Sequence, residues 1–348
     1  MKEIINRYAK NLENKSGVEA ILKEMENQKK DAIASYENQK YQIKKLANEI
    51  KISERIILLG MGASHFVNKI FAFQLGQLGF DASAITASDF LYSPIKIKEA
   101  LFIFTSQSGE SIETVKCLSL TKGKNCFSFT LDGKSTIAKN TTAIVADGGI
   151  EKAYAGTRSV TLTVALMAYV ISELGAFSQQ EVINAISYNQ NYDNNFEKAI
   201  KYLCLGNLLV STGRGIADPL SSLFSLGCQE LSCLPFLNYE TGQFRHGPKE
   251  MIKKDSVIVI FRQSEELGKL TLSFEEISKQ TGCHLIVIDF SGLEPLNSAT
   301  TIISKVGKGI LSVLSAMETF QVLMICYSCG KNPMTGIPKF SSKVTTTE

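Results

Sequence analysis

The chain has 348 residues, 44% of them hydrophobic and 20% charged, with 37 basic side chains against 34 acidic ones and a net charge of +3. That balance argues against an extended nucleic-acid or membrane-surface footprint, and the aromatic residues are dispersed, with no basic patch interleaved among them. The length suits two domains of ordinary size. The N-terminal MKEIINRYAKNLENKS has no apolar core of signal-peptide length, so a cytoplasmic protein is expected.

The most apolar runs, Val160–Ala176 and Ile310–Cys329, carry Thr, Ser and Glu and read as buried helices rather than spans. The eight cysteines fall in apolar segments and read as reduced, buried thiols. Cys326 and Cys329 have CxxC spacing without a second pair or a His pair, so neither a metal nor a cofactor is expected.

Residues 16–50 are charged and helical in period, with Val18, Ile21, Leu22 and Met25 on one face, and predict one or two helices packed on a first domain. Arg55–Leu59 is a short apolar strand that runs into Gly60-Met61-Gly62-Ala63-Ser64, and a helical pattern follows. Strand, glycine turn and helix open a nucleotide-type α/β unit. His65 stands where a dinucleotide fingerprint needs its third glycine, and no acid ends the next strand, so the turn is read as presenting Ser64. Ala82–Thr86 is a second strand, Ser88-Asp89-Phe90 begins a short helix, and Leu101–Thr105 is a third strand.

That third strand ends in Ser106-Gln107-Ser108-Gly109-Glu110-Ser111, and a helix begins. Free N–H groups at a helix N-terminus make an anion site, and serine hydroxyls add donors without charge, which suits a phosphate on a neutral sugar. An ordinary serine N-cap with a turn glycine is the plainer alternative. Cys126–Leu131 and Ala143–Ala146 supply a fourth and a fifth strand, and residues 157–177 a long apolar helix. Alternating strands and helices predict a parallel sheet covered on both faces.

A helix around 179–203 leads into a second copy of the unit. Leu208–Gly215 echoes residues 56–64, Val257–Ser264 echoes Leu101–Ser108, Leu285–Asp289 the fourth strand and Thr301–Ser304 the fifth. The pseudo-repeat is about 150 residues long. In the second copy the serines are replaced by Arg262-Gln263-Ser264-Glu265, and a glutamate at the helix start would repel phosphate, so one competent cradle is expected.

Three further features could carry chemistry. Glu230 lies in a helical pattern among apolar residues, either as a surface acid or as a partly desolvated general base. His246, between an apolar strand end and Gly247-Pro248, is suited to proton transfer or to a structural role, whereas His284 reads as a core residue of a strand. The polar tail Pro333–Glu348 reads either as a disordered end or as a lid that brings a lysine amine, Lys339 or Lys343, to a carbonyl substrate.

Together these residues resemble the sugar isomerase (SIS) family, and within it the isomerase half of glucosamine-6-phosphate synthase, from about residue 20 to the end. Ser106-Gln107-Ser108-Gly109-Glu110 matches that family's phosphate loop letter for letter, and Gly62-Ala63-Ser64 its first turn with one change. Gln229-Glu230-Leu231-Ser232 resembles its Lys-Glu-Ile-Ser, His246-Gly247-Pro248 follows at its spacing of 16 residues, and Pro338–Glu348 resembles its closing tail. Arg55–Val67 and Thr241–Lys249 look more like the galactosamine-6-phosphate deaminase/isomerase branch.

The resemblance implies an α/β fold of two tandem SIS domains, each a doubly wound parallel five-stranded sheet flanked by helices. The expected order is a helical arm (1–50), a first SIS domain with the phosphosugar loop (51–180), a second with the catalytic pair (181–330) and an active-site tail (331–348). Ser64, Ser106, Gln107, Ser108 and Ser111 would hold the sugar phosphate. Glu230 would shuttle a proton between C1 and C2, His246 would assist ring opening from the neighbouring subunit of a homodimer, and Lys343 would form or support an imine. Two positions depart from the family: its second active-site lysine is Gly227 here, and a serine after the fifth strand is Gly156. With no glutaminase segment before the SIS-type helices, the expectation is an enzyme coupling aldose–ketose isomerisation of a hexose phosphate to loss, rather than gain, of an amino group. A phosphosugar-binding sensor and a simple phosphosugar isomerase are the alternatives.

Overall fold

A computed structural model describes the whole chain except residues 95–98, 341, 346 and 348. It opens with α1 (Lys2–Tyr8) and α2 (Ser16–Ile52), a single helix across the stretch expected to hold one or two. There follow β1 (Ile56–Gly60), α3 (Gly62–Gln77), β2 (Ala82–Thr86), α4 (Ala87–Tyr92), β3 (Leu101–Thr105), α5 (Ile112–Leu120), β4 (Asn125–Thr130), α6 (Thr136–Asn140), β5 (Thr142–Val145) and α7 (Arg158–Glu173). The predicted helix at 179–203 is two, α8 (Gln179–Ile186) and α9 (Asn194–Leu205). They are separate because Asp193 caps α9, its carboxylate accepting the N–H groups of Asn195 and Phe196.

The later elements are β6 (Leu208–Gly213), α10 (Ala217–Ser232), β7 (Leu237–Glu240), α11 (Thr241–Arg245), β8 (Ser256–Arg262), α12 (Glu265–Lys269), α13 (Ser273–Thr281), β9 (His284–Asp289), β10 (Ala299–Ile303) and α14 (Ile310–Cys329). The chain divides into two compact units. One holds Met1–Leu22 with Ser187–Ile337, the other Lys23–Ile186 with Pro338–Glu348.

Among the described residues each unit carries one five-stranded sheet, ordered β2-β1-β3-β4-β5 and β7-β6-β8-β9-β10, with every pairing parallel. The two orders are the same, which makes the repeat a structural one. Central strands β1, β3 and β8 are buried at every residue, while edge strands β2 and β7 are half-buried throughout, as helices on both faces of a parallel sheet require. In the first sheet Ile57, Leu59, Phe102 and Phe104 form one core face with Ala87, Phe90, Cys117 and Ile137. α14 is long and apolar enough to cross a membrane by length and composition, but all of it is buried inside the protein.

Cysteine burial departs from expectation at three places: Cys126 and Cys204 are half-buried, and Cys233, which ends α10 in the left-handed region at φ 57°, is exposed. His284 is likewise only part-buried at the start of β9, its ring stacked on Tyr202 at 3.9 Å.

The two sheets diverge where their third strands end. Gly60 pairs with Thr105, and Gly213 with Phe261, so Arg262 stands in the place of Ser106; by the next strand pairing Asp289 stands in that of Thr130. Arg262 is buried and its guanidinium is spent on Asp289 Oδ2 at 3.0 Å and the carbonyls of Glu294 and Gly268 at 2.7 and 3.2 Å. Replacing Arg262 by Met should cost about 3–5 kcal/mol, because Asp289 is left buried without its counter-charge. Adding Asp289→Asn should recover part of the loss, as read from thermal denaturation of the single and double variants.

Candidate active site

In the first sheet the chain runs outward in opposite directions from β1 and β3, and the crevice at their C-terminal ends is where open α/β sheets bind ligands. Both turns at this point are shaped by glycine. A Cβ on Gly60 would sit 2.9 Å from the Thr105 carbonyl oxygen, so only glycine allows the approach. Ser64 lies in the first turn of α3, half-buried, its N–H donating to Met61 O at 3.0 Å. One turn on, buried Asn68 accepts from the Thr105 hydroxyl at 2.6 Å and so ties the β1 turn to the end of β3.

The loop after β3 is held from within. Ser106 is buried; its N–H donates to Phe129 O at 3.1 Å, and its Oγ accepts from the Gly109 N–H at 3.1 Å and lies 3.3 Å from Ser111 Oγ. Gly109 has φ +65°, and a Cβ there would collide with the Ser135 side chain. The Gln107 carbonyl accepts from Leu131 N–H at 2.9 Å and from the Thr130 hydroxyl at 3.2 Å. Its side chain faces Gly156, where a Cβ would stand 3.3 Å from Nε2. Ser108 Oγ accepts from the Glu110 N–H at 3.2 Å.

The acid in the loop is turned to structural use. Glu110 accepts the Thr136 N–H at 2.6 Å and its hydroxyl at 2.8 Å, at the start of α6. Ser111 occupies the N-cap of α5 without making the side-chain cap bond. The loop therefore offers hydroxyls and the positive end of a nine-residue helix, with its carboxylate engaged elsewhere. The tail also reaches this helix: the Ile112 N–H donates to Thr345 O at 3.1 Å, and Lys343 Nζ donates to Glu151 Oε2 at 3.2 Å and to Tyr154 O at 3.1 Å. Ser341, Thr346 and Glu348 lie outside the described residues.

The other predicted residues belong to the other unit. Glu230 is half-buried near the end of α10, between buried Cys228 and Leu231. That end is pinned to the entrance of β7, because Ser225 Oγ and Gln229 Nε2 both donate to Phe236 O, at 2.6 and 2.5 Å. Gly227, three residues before, is buried against α14, where a Cβ would collide with Met324 Sδ. His246 is exposed, and the expected strand end before it is instead the short helix α11, which His246 closes with its N–H on Gln243 O at 3.1 Å. The helix forms because Glu240 caps it, accepting the Gln243 N–H at 3.0 Å while Arg214 Nε lies 3.3 Å from its other oxygen. Burial raises the Glu240 carboxyl, but the N–H groups of Gly242 and Gln243 and the Arg214 charge outweigh it and hold its pKa below the ordinary value.

Sequence reading missed Asn68, Glu151 and the Arg214–Glu240 pair. Each is a lone polar residue beside a turn, and its role depends on partners distant in the chain.

The SIS domain model matches residues 49–172 and 207–327, one stretch around each sheet. The chain belongs to the SIS domain family. A glutamine–fructose-6-phosphate aminotransferase (isomerizing) from Wigglesworthia glossinidia brevipalpis is 24% identical over 87% of this chain and 53% of its own length; one from Sulfurisphaera tokodaii is 26% identical over 64% and 39%. The chain thus spans about half or less of these relatives. Among solved structures, the C-terminal domain of glucosamine-fructose-6-phosphate aminotransferase from Francisella tularensis has the same fold, at TM-score 0.79 and 17% identity over 92% of this chain and 98% of that one. Tagatose-6-phosphate ketose/aldose isomerase from Escherichia coli (0.75; 18%; 92% and 95%) and glucosamine-6-phosphate deaminase from Thermotoga maritima (0.71; 20%; 93% and 99%) share it too.

The serine loop depends on Gly109. Gly109→Ala should lower stability by about 1–3 kcal/mol through strain at positive φ and the clash with Ser135. A thermal melt of the variant beside the wild type reads the loss.

Proposed function

We propose that the protein is a phosphosugar enzyme that couples aldose–ketose isomerisation of a hexose 6-phosphate to the loss or gain of an amino group. The observation that carries this reading is the Ser106–Ser111 loop at the sheet's switch point, with its one acid, Glu110, bound to Thr136. Such a loop suits a dianion on an uncharged carbon skeleton. Ser64, Ser106, Gln107, Ser108 and Ser111 hold the phosphate. Glu230, half-buried near the end of α10, moves the proton between C1 and C2 through an enol-type intermediate. Lys343 forms or supports the imine at the carbonyl carbon. His246 assists ring opening, and its exposure in the single chain fits donation to the neighbouring site of a homodimer.

The deaminase or deglycase direction is supported by Gly227. The synthase resemblance would place a lysine there; this chain has none, and the space is taken by the Met324 thioether. The stretches 55–67 and 241–249, which resemble the deaminase/isomerase branch, point the same way.

A panel of amino-sugar and Amadori-type 6-phosphates, assayed for ammonia, amine and hexose phosphate, tests the reading. Glu230→Gln should lower turnover by about 10²–10⁴-fold while leaving phosphosugar affinity nearly unchanged; full activity in that variant overturns the assignment. Binding without turnover on every sugar would make the protein a phosphosugar sensor. Unchanged activity in Lys343→Ala would reduce the reaction to isomerisation without nitrogen.

A further inference from the structure

Glu151 lies between β5 and α7 and is 2% exposed. Its Oε1 accepts the Thr157 N–H at 2.9 Å, the Thr157 hydroxyl at 2.9 Å and the Arg158 N–H at 2.8 Å, while Oε2 accepts the Ser159 hydroxyl. These are the donors that begin α7, so the carboxylate serves that helix as a cap. The remaining donor comes from 192 residues along the chain: Lys343 Nζ, at 3.2 Å on Oε2. The same ammonium donates to Tyr154 O, and two residues later Thr345 O accepts the N–H of Ile112, beside Ser111.

Among the described residues of the tail, Ser342 Oγ also donates to Val344 O, a bond within the tail itself. Pro338, Lys339 and Phe340 are exposed, Phe340 at 99%, and fixing a residue's backbone costs about 1–2 kcal/mol. The Thr345–Ile112 bond joins two neutral groups. The Lys343–Glu151 bond is charge-assisted and largely withdrawn from water, with side-chain exposures of 25% and 1%, so it is the stronger attachment.

We propose that Glu151 is a positioning residue: through Lys343 it anchors the tail at the N-terminus of α5, beside the serine loop. This rests on the reading of Lys343 as the amine brought to the substrate carbonyl, and names what fixes it before substrate arrives. Glu151 thereby gives a largely polar tail a fixed charge-assisted attachment.

Amide hydrogen exchange at Ile112, measured without sugar, reads the tail's seat directly. Glu151→Gln keeps an oxygen for the α7 N–H groups and removes the charge that Lys343 needs. It should speed exchange at Ile112 at least tenfold. Lys343→Met should do the same, and the double variant should be no faster than either single one. Thr157→Val weakens the α7 cap without touching Lys343, and should leave the rate unchanged. A wild-type rate in either charge variant, effects that multiply in the double, or equal acceleration by Thr157→Val would each overturn the proposal. If Glu151→Gln fails to fold, Lys343→Met decides alone. Because no sugar is present, the result is independent of whether the phosphosugar reading holds.

Discussion

A parallel sheet must be covered on both faces, and this constraint places everything else in the molecule. With β1 and β3 buried at every residue, the faces of the first sheet are taken by helices. The carboxyl ends of the strands remain, where each strand hands its chain to a helix N-terminus. At the switch point two such handovers lie side by side. One needs glycine at residue 60 because the Thr105 carbonyl passes close by; the other needs it at 109 because the backbone there is left-handed. The serines lie between these two forced positions. Their geometry follows from the packing of the sheet as much as from their own hydrogen bonds.

The second sheet shows what the scaffold leaves open. It has the same strand order, and Arg262 occupies the position of Ser106. Its guanidinium meets Asp289 and two carbonyls, so the end of the strand is filled by an internal ion pair. Fold alone does not fix what stands at a strand end; the local residues do, a run of small hydroxyl side chains in the first sheet and an ion pair in the second.

In the unit that carries the first sheet, charge wholly or partly withdrawn from water is spent on holding loops. Arg158 is buried yet meets Glu24 at 2.6 Å, Asp31 at 3.0 Å and the carbonyls of Asp147 and Gly149, which fixes α7 to α2. Glu110 caps α6, and Glu151 caps α7 and takes the tail lysine. A charge removed from water has to find partners, so each of these side chains holds its loop in one place. In the other unit Glu230 is half-buried at a helix end, and His246 is exposed beside a glycine at φ 133°.

The sequence by itself determined the repeat, the central strands and where the serine loop lies between strand and helix. Those depend on local patterns: apolar runs closed by glycine or serine, and helical period after them. Edge strand β7 went unread because Leu237–Glu240 is half-buried and carries no apolar run, and α11 because Glu240 creates it through a cap rather than a period. The serine cluster read from sequence as an anion site or an ordinary cap; the structure shows Ser111 making no side-chain cap bond and Glu110 turned onto Thr136, 26 residues away. Only tertiary structure decided which acids are buried and whom they meet. Glu151 and Lys343 are ordinary polar residues in their own neighbourhoods, and become partners because the fold brings two distant segments to one helix N-terminus.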